Sequence, residues 1–426
     1  MKAFPILSGI LVVNCLWTPV TLSGGGTGQT NSQDSIVTLS QLTDQALQAN
    51  PALQASRVRI QGAEARISQA AAWDDPQAGV EFYATPVTSA NPFKDGMETD
   101  YYLQQMIPLG KKSPMEEAAR ANVRMVEQQS ANVERNLVAQ VKSAYAMLYA
   151  AQRRLGVNAE NERLLNQIIE SARGKYSVGI TSQSDVLKAQ VELAKLENER
   201  AGIEEELRAA EAMMNALRGV PASTPIPRVA EIEVRDFPGT PDQLEQRAWE
   251  RRPELLAMQA EIDMNKAELV ASKRERIPDL MLRGTYKQMT EGTDFWAAMI
   301  GINIPIAPWS SGKYSGRIEE NEVNVRSGEL NLADMKNMAA SEVRNAWVRT
   351  GSRLEQVRRY RGAILPQAEQ TLQSTLVSYQ TDKTDFLSLL DSYRMVQMFR
   401  MEYYMLVADY LAAYASLEKA AGTPLE

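Results

Sequence analysis

The chain of 426 residues contains no histidine, and its one cysteine, Cys15, lies close to the N-terminus. Without histidine there is no Ser-His-Asp or Cys-His catalysis, no imidazole-ligated zinc, and no side chain that ordinarily titrates near neutral pH. Carboxylates remain, but no paired acids fall in a pocket-like context, so a carboxylate enzyme is the weakest reading and catalytic, cofactor and metal residues are expected to be none. A mature chain without thiols suits an oxidising compartment. Glycine (24), proline (19) and aromatics (7%) are also sparse, which leaves long unpunctuated stretches of Ala, Leu, Glu, Gln and Arg. Such stretches form long helices. A net charge of −7 without a basic cluster argues against nucleic acid as a partner.

The N-terminus reads as an export signal over residues 1–22. Lys2 precedes an apolar run through Phe4, Ile6, Leu7, Ile10, Leu11, Val12 and Val13 that is too short to span a bilayer as a helix. Cys15, after Leu11-Val12-Val13-Asn14, weakly resembles a lipid-attachment cysteine, although Asn14 is a poor neighbour for one. The alternative is a leader cysteine lost on cleavage. Residues 23–37 read as a flexible segment rich in Gly and Ser.

What is present in quantity is repetition. Gln41–Pro76 aligns without a gap on Gln243–Pro278, matching Gln41/Gln243, Leu42/Leu244, Ala46/Ala248, Pro51/Pro253, Leu53/Leu255, Ala55/Ala257, Ile60/Ile262, Ala65/Ala267 and Pro76/Pro278. A spacing near 200 is far too long for a solenoid and marks two tandem copies of one large unit, 38–219 and 241–422. A linker, 220–240, joins them, and a short tail, 423–426, follows. Each copy reads helix, strand pair, very long helix, turn, helix. In copy one the helices are expected at Leu39–Trp73, Pro114–Arg173 and Ser182–Arg218. In copy two they are expected at Pro241–Arg276, Gly316–Leu376 and Thr384–Ala421. Val123, Val126, Ser130, Val133, Leu137, Val141, Ala144 and Leu148 form a coiled-coil seam, diluted by small residues, that suits helices packed by neighbours on two sides. Pro114–Arg173 would span about 90 Å, and the two shorter helices laid end to end approximately match it. The nineteen methionines read as core filler.

The strand-like segments, near 78–108 and 279–305, alternate. Val80 and Phe82 oppose Glu81 and Tyr83, and Leu103 opposes Tyr102 and Gln104. Leu282 opposes Arg283, while Trp296, Ile300 and Ile302 share one side. Runs of nine or ten residues with one apolar face and terminal aromatics suit outer-membrane strands, and those seven apolar residues are the expected lipid-facing set. A soluble hairpin packed on a helix shows the same alternation. In hydrocarbon, however, open sheet edges are not tolerated and four strands cannot close a barrel. Two chains would give eight strands and a filled interior, three chains twelve and a water-filled lumen; the trimer is favoured.

At this point Leu42–Leu53 (LTDQALQANPAL), Gln105–Lys112 (QMIPLGKK), Tyr176–Leu187 (YSVGITSQSDVL) and Leu365–Gly422, with LPQAE, FLSLLDSYR and YASLEKAAG, are in hand, in this order and duplicated. Together they resemble the TolC-like outer-membrane factor family, the exit ducts of tripartite efflux pumps and type I secretion systems. QMIPLGKK resembles its heavy-metal and cation branch. The resemblance implies a mainly α fold with a small β part: a tandem-duplicated long-helix α-barrel plus four transmembrane strands per chain, completing a twelve-stranded barrel as a homotrimer. It implies the outer membrane of a Gram-negative bacterium, with a long periplasmic portion. The implied function is a passive duct, with a periplasmic adaptor and an inner-membrane pump as partners, outer-membrane lipid around the barrel, and no cofactor. The turn Tyr176, Val178, Gly179, Ile180, Thr181 resembles the adaptor-docking tip, with Tyr379, Thr381, Asp382 and Thr384 as its counterpart. Asp382 replaces glycine, so the second turn is expected to differ. Asp185 and Asp391 resemble the acidic periplasmic gate, although a solvated face or a helix N-terminal charge explains Asp185 as well. The rival outside this class is a secreted coiled-coil protein without a channel.

Overall fold

The computed structural model describes residues 36–305 and 307–425. The export signal, Cys15 and the segment up to residue 35 lie outside the described residues. Val37, expected to end a flexible stretch, is instead pinned: its N–H donates to Arg228 O (2.9 Å), and its carbonyl accepts from Ala230 N (2.9 Å).

The two copies start alike for a local reason. Thr38 caps α1 (Leu39–Ala49) and Thr240 caps α6 (Pro241–Arg251), each in a reciprocal capping box with the glutamine three residues on, Gln41 and Gln243. The continuous helices expected over Leu39–Trp73 and Pro241–Arg276 are each broken. Proline lacks an amide donor and excludes the residue before it from the helical region. Asn50 and Arg252 accordingly turn extended (ψ 120° and 122°), and α2 (Pro51–Ala71) and α7 (Pro253–Arg274) restart at the prolines. Asn50 satisfies both sides of its break. Its Oδ1 accepts from Ala52 N (3.0 Å) and Leu53 N (3.1 Å), while Nδ2 donates to Leu217 O (2.9 Å) at the end of the helix that packs there.

Between α2 and the first long helix run β1 (Gln77–Tyr83), a four-residue helix α3 (Pro92–Asp95) and β2 (Glu98–Ile107); after α7 come β3 (Leu280–Met289) and β4 (Phe295–Ile302). The strands form one antiparallel sheet in the order β1-β2-β3-β4, so the two hairpins join through β2 and β3, with Leu103 opposite Gly284. β1 and β4 are its free edges.

The first long helix, α4 (Lys112–Ser177), runs unbroken for 66 residues, about 100 Å. Its partner in copy two is divided into α8 (Ser311–Arg359), a π-helical turn (Tyr360–Ile364) and α9 (Leu365–Gln380), where a single helix was expected. In a regular helix the Pro366 ring would collide with the carbonyl of Gly362, and the wider π turn makes room for it. The returning helices are α5 (Gln183–Leu217) and α10 (Phe386–Ala421). α4 packs on α1, α2 and α5 to one side and on α7 and α10 to the other, and α7 and α10 pack in turn on α8. Four columns result: α2 stacked on α5, then α4, then α7 stacked on α10, then α8 continued by α9. Glycines cap both stacked joints in the left-handed region. A Cβ on Gly219 (φ 66°) would stand 2.7 Å from Ala49 O, and one on Gly422 (φ 77°) 3.1 Å from Arg252 N.

The segment between the copies is no free linker. It lies as a strap across α4, α8 and α10. Val229 N donates to Gln152 Oε1 (2.9 Å), Tyr145 Oη to Ala230 O (2.9 Å), Trp347 Nε1 to Gly239 O (3.2 Å) and Tyr410 Oη to Arg235 O (2.5 Å), while Tyr149 and Arg153 both reach Glu231. Burial pushes the Tyr145 phenol up to about 12. The largest apolar cluster, with Leu42, Leu53, Leu148, Tyr149, Met214, Val229, Leu354 and Val407, lies under this strap and binds the two copies at mid-height. The tail is packed as well: Leu425 is buried and its N–H donates to Glu418.

The Asn50 joint gives a direct test. Asn50→Ala removes a cap and leaves the Leu217 carbonyl unpaired, so it should destabilise the fold by about 2–3 kcal/mol, whereas Asn50→Ser keeps a capping oxygen and should cost less. Thermal unfolding of the detergent-solubilised chain followed by circular dichroism reads both. Equal melting of the two variants and wild type would refute the joint's role.

Candidate functional site

Two parts of the molecule hold the residues singled out from sequence: the paired interhelical turns at one end and the sheet at the other. At the first turn α4 ends at Ser177. Gly179 takes φ 79°, its N–H donates to Tyr176 O (3.0 Å), and Ile180 N reaches back to Lys175 O (2.9 Å). The second turn is built the same way, contrary to expectation. Asp382 takes φ 60°, its N–H donates to Tyr379 O (3.3 Å), and Lys383 N reaches Ser378 O (2.8 Å). Aspartate is one of the few side chains that tolerate this region, and Lys175 rewards it by ion-pairing with the Asp382 carboxylate. The same ammonium donates to Tyr379 O (2.5 Å) and stands 4.7 Å from the Tyr379 ring, so one lysine of copy one locks the turn of copy two.

The turns differ instead in what they show to solvent. Tyr176, Val178 and Ile180 are exposed, giving the first turn an apolar surface around Gly179, with Thr181 half-buried. The second presents Thr381, Asp382 and, half-buried, Thr384; Tyr379 is interior, 3% exposed and edge-on to Phe386. Tyr379 therefore holds the copies together and offers no free surface, a correction to its expected place in the docking set.

Of the two acidic residues, Asp185 serves its own turn. Burial works to raise its carboxyl, but hydrogen bonds from Thr181 (2.8 Å) and Ser182 (2.9 Å) and the Lys188 ammonium (3.3 Å) outweigh it and leave it below the ordinary aspartate value. Asp391 is the more exposed, with Arg394 3.6 Å away. The structure does not join the two; it joins Arg394 to Glu192. That carboxylate, on α5, accepts from the Arg394 guanidinium on α10 at 2.6 Å, and this hydrogen bond above all holds Glu192 below its ordinary value against burial. Gln397 Nε2 donates to Glu199 (2.7 Å) one turn on. Sequence reading missed this clasp. Its signal was the repeat distance itself, since the partners stand 202 residues apart.

At the other end, the register puts Val80, Phe82, Leu103, Leu282, Trp296, Ile300 and Ile302 on one face of the sheet, with Trp296 78% and Ile300 75% exposed. Phe82 is half-covered by Phe93 of α3, edge-on at 4.5 Å. Tyr101, Tyr286 and Trp296 form an aromatic row across three strands near the hairpin turns (ring centroids 6.4 and 5.3 Å apart), and exposed Trp73 and Trp309 flank the opposite end of the strands. The other face carries Glu81, Glu98, Asp100, Arg283 and Lys287 in cross-strand ion pairs. Among the described residues no helix is long and apolar enough to cross a membrane.

A sheet of four strands, apolar on one face and ion-paired on the other, set on a duplicated array of helices up to 66 residues long, matches a known family in each copy: outer membrane efflux protein, over residues 42–220 and 244–423. The chain belongs to that family. Outer membrane efflux proteins are channels, and this one is the outer-membrane channel component of a tripartite efflux system. Among curated relatives it is 24% identical to the cobalt-zinc-cadmium resistance protein CzcC of Cupriavidus metallidurans over 75% of this chain and 76% of that one. It is 19% identical to outer membrane protein TolC of Vibrio cholerae over 72% of each. Among solved structures, the outer-membrane channel OprN superposes with a TM-score of 0.77 at 19% identity, covering 90% of this chain and 89% of that one. VceC of Vibrio cholerae gives 0.73 at 18%, covering 91% and 97%. At these identities the structural likeness establishes the fold: a helical barrel with a β domain, as expected from the sequence.

The clasp yields a pH prediction. Because the Glu192 carboxyl is held low in the folded tip, its stabilising contribution is complete above the unfolded value, near 4.5, and is lost as pH falls through the folded value below it. Spin labels on cysteines replacing exposed Leu187 and Met398 should report a narrow α5–α10 distance distribution at neutral pH that broadens in acid, at a pH below the ordinary glutamate value. Glu192→Gln should be broad already at neutral pH; a narrow distribution in that variant would mean that other contacts hold the helices together.

Proposed function

We propose that three copies of the chain close one duct, whose barrel lies in the outer membrane and whose helical tunnel stands in the periplasm. The observation that carries this reading is a coincidence of unpaired sides. The sheet ends in free edges at β1 and β4, and the helical layer ends in the columns α2/α5 and α8/α9. β1 follows α2 and β4 precedes α8, so both layers are open on the same two sides. Exposed apolar side chains line those columns, Val58, Leu187 and Val191 on one and Val323, Leu330 and Val348 on the other. Joining β4 of one copy to β1 of the next pairs every edge and makes a twelve-stranded barrel wide enough for water. In that barrel the face bearing Val80, Phe82, Leu103, Leu282, Trp296, Ile300 and Ile302 meets lipid.

At the periplasmic end, the apolar surface of Tyr176, Val178 and Ile180 around Gly179 is where a helical hairpin of the adaptor docks, with Thr181, Thr381, Asp382 and Thr384 as the polar rim. Gly179 has no Cβ and leaves room for close approach. Docking there releases the Glu192–Arg394 clasp and opens the tip, where Asp391 of each copy forms an acidic ring. Asp185 has no part in that ring in this reading, because its carboxylate is bound to its own turn. Flow is driven by the inner-membrane pump. The resemblance of QMIPLGKK and the likeness to a cobalt-zinc-cadmium resistance protein support divalent metal cations as cargo.

In a strain lacking the gene, the wild-type chain should restore metal resistance, whereas Gly179→Val should not, although its trimers still form; full resistance with that variant would contradict docking at the first turn. Ile300→Arg should fail to assemble in the outer membrane, since a charge at mid-depth on the lipid side costs about 2–4 kcal/mol per chain. Normal insertion of Ile300→Arg would reverse the assignment of the sheet's faces.

A further inference from the structure

The ion-paired face of the sheet is not balanced. Arg283 is matched one to one: its guanidinium meets Glu81 at 2.7 Å and lies 3.8 Å over the Tyr102 ring. Lys287 is not. Its single ammonium serves two carboxylates of β2, pairing with Glu98 and standing 2.9 Å from Asp100 Oδ2, with the Tyr83 ring 5.5 Å away. Glu98 and Asp100 are two residues apart on one strand and so stand side by side on one face. Asp100 is only 2% exposed, and its Oδ1 has no hydrogen-bond partner. A buried carboxylate oxygen without a donor marks charge that the protein leaves uncompensated. That excess sits near the hairpin turns, at the end of the sheet remote from the helices.

We propose that the Glu98–Asp100–Lys287 cluster is a charge-selective ring at the outer end of the duct, favouring cations over anions as they leave. The proposal rests on the trimeric barrel reading, in which this face lines the lumen and the cluster recurs three times around it. Three uncompensated negative charges in a wall of low dielectric concentrate cations at that level and oppose anions. Lys287 sets the strength of the ring, since it cancels one of the two negative charges that each chain contributes. Cargo that passes most readily is a hydrated cation, and an anionic solute meets a barrier at the last step of export even with the tip open.

Reversal potentials across a salt gradient test this with the full-length trimer in planar bilayers. All variants are made in the Arg394→Met background, so that the sheet rather than the clasped tip limits flow. Asp100→Asn removes the excess charge and should lower the cation-to-anion permeability ratio about two- to fivefold. Lys287→Gln uncovers a second negative charge and should raise it. Opposite shifts from neighbouring residues are not produced by a loosened fold, and Asp100→Asn, nearly isosteric, keeps the test open if Lys287→Gln fails to assemble. Conducting channels whose reversal potential is unmoved by Asp100→Asn would overturn the ring while leaving the duct intact. Absence of any conductance from the Arg394→Met parent would overturn the duct reading and the ring with it.

Discussion

Unpaired backbone amides and carbonyls at β1 and β4 govern the rest of the molecule. In hydrocarbon each such group lacks the water that satisfies it elsewhere, so an apolar-faced sheet with open edges cannot stand alone there. A soluble protein would blunt those edges with charge, bulges or a covering helix. Here Phe295, Trp296 and Ile300 lie on an edge strand with exposed side chains. The helices obey the same boundary. α2 leads into β1 and α8 leads out of β4, so closing the sheet also brings α2/α5 of one copy against α8/α9 of its neighbour. In the trimeric reading, one hydrogen-bonding requirement in the membrane sets the packing of a layer reaching about 100 Å away from it.

Duplication explains why a chain of this length suffices. Each copy builds a cap, a proline break, a hairpin, a long helix and a returning helix, and the copies are joined by buried contacts as well as by sequence. The strap over Tyr145, Tyr149 and Tyr410 turns the intervening segment into a clamp. Departures from symmetry are local. α4 runs unbroken, whereas α8 and α9 are separated by a π turn that admits Pro366. The first tip turn is apolar and exposed, while the second is polar and its tyrosine is interior. A symmetric pair of turns would present two equivalent apolar surfaces per chain; this pair presents one, at Tyr176, Val178 and Ile180.

Much of this was legible because it rests on period and punctuation. The repeat offset, the two-residue alternation of the strands and the lengths of the helices all follow from local chemistry, and the seven apolar strand residues do share a face. Pro51, Pro253 and Pro366 were visible too, but their consequences were not drawn, because a single proline in a strong helical pattern has several outcomes and tertiary contacts choose among them. The site was harder. The turn residues were located, yet Tyr379 and Tyr176 look alike in sequence and only packing against Phe386 and Lys175 separates them. Asp382 misled in the other direction, since its αL conformation depends on a lysine 207 residues away. Glu192 and Arg394 read as ordinary solvated helix charges until α5 and α10 are brought together.

Charge is distributed along the axis in a way that ties these parts together. At the tip, Asp185, Glu192 and Asp382 are each bound to a hydroxyl, a guanidinium or an ammonium, so their charge is met within the tip itself. At the sheet, Arg283 cancels Glu81, but Lys287 cannot cancel both Glu98 and Asp100. Breaking the clasp at the tip would free Arg394 as well as Glu192, leaving that end nearly neutral in sum apart from Asp391. The outer end has no such compensation to release, because its excess is built into the register that sets Asp100 opposite Lys287. The ion pairs of the helical end join separate columns, which can part, whereas those of the sheet are fixed by the register and its backbone hydrogen bonds.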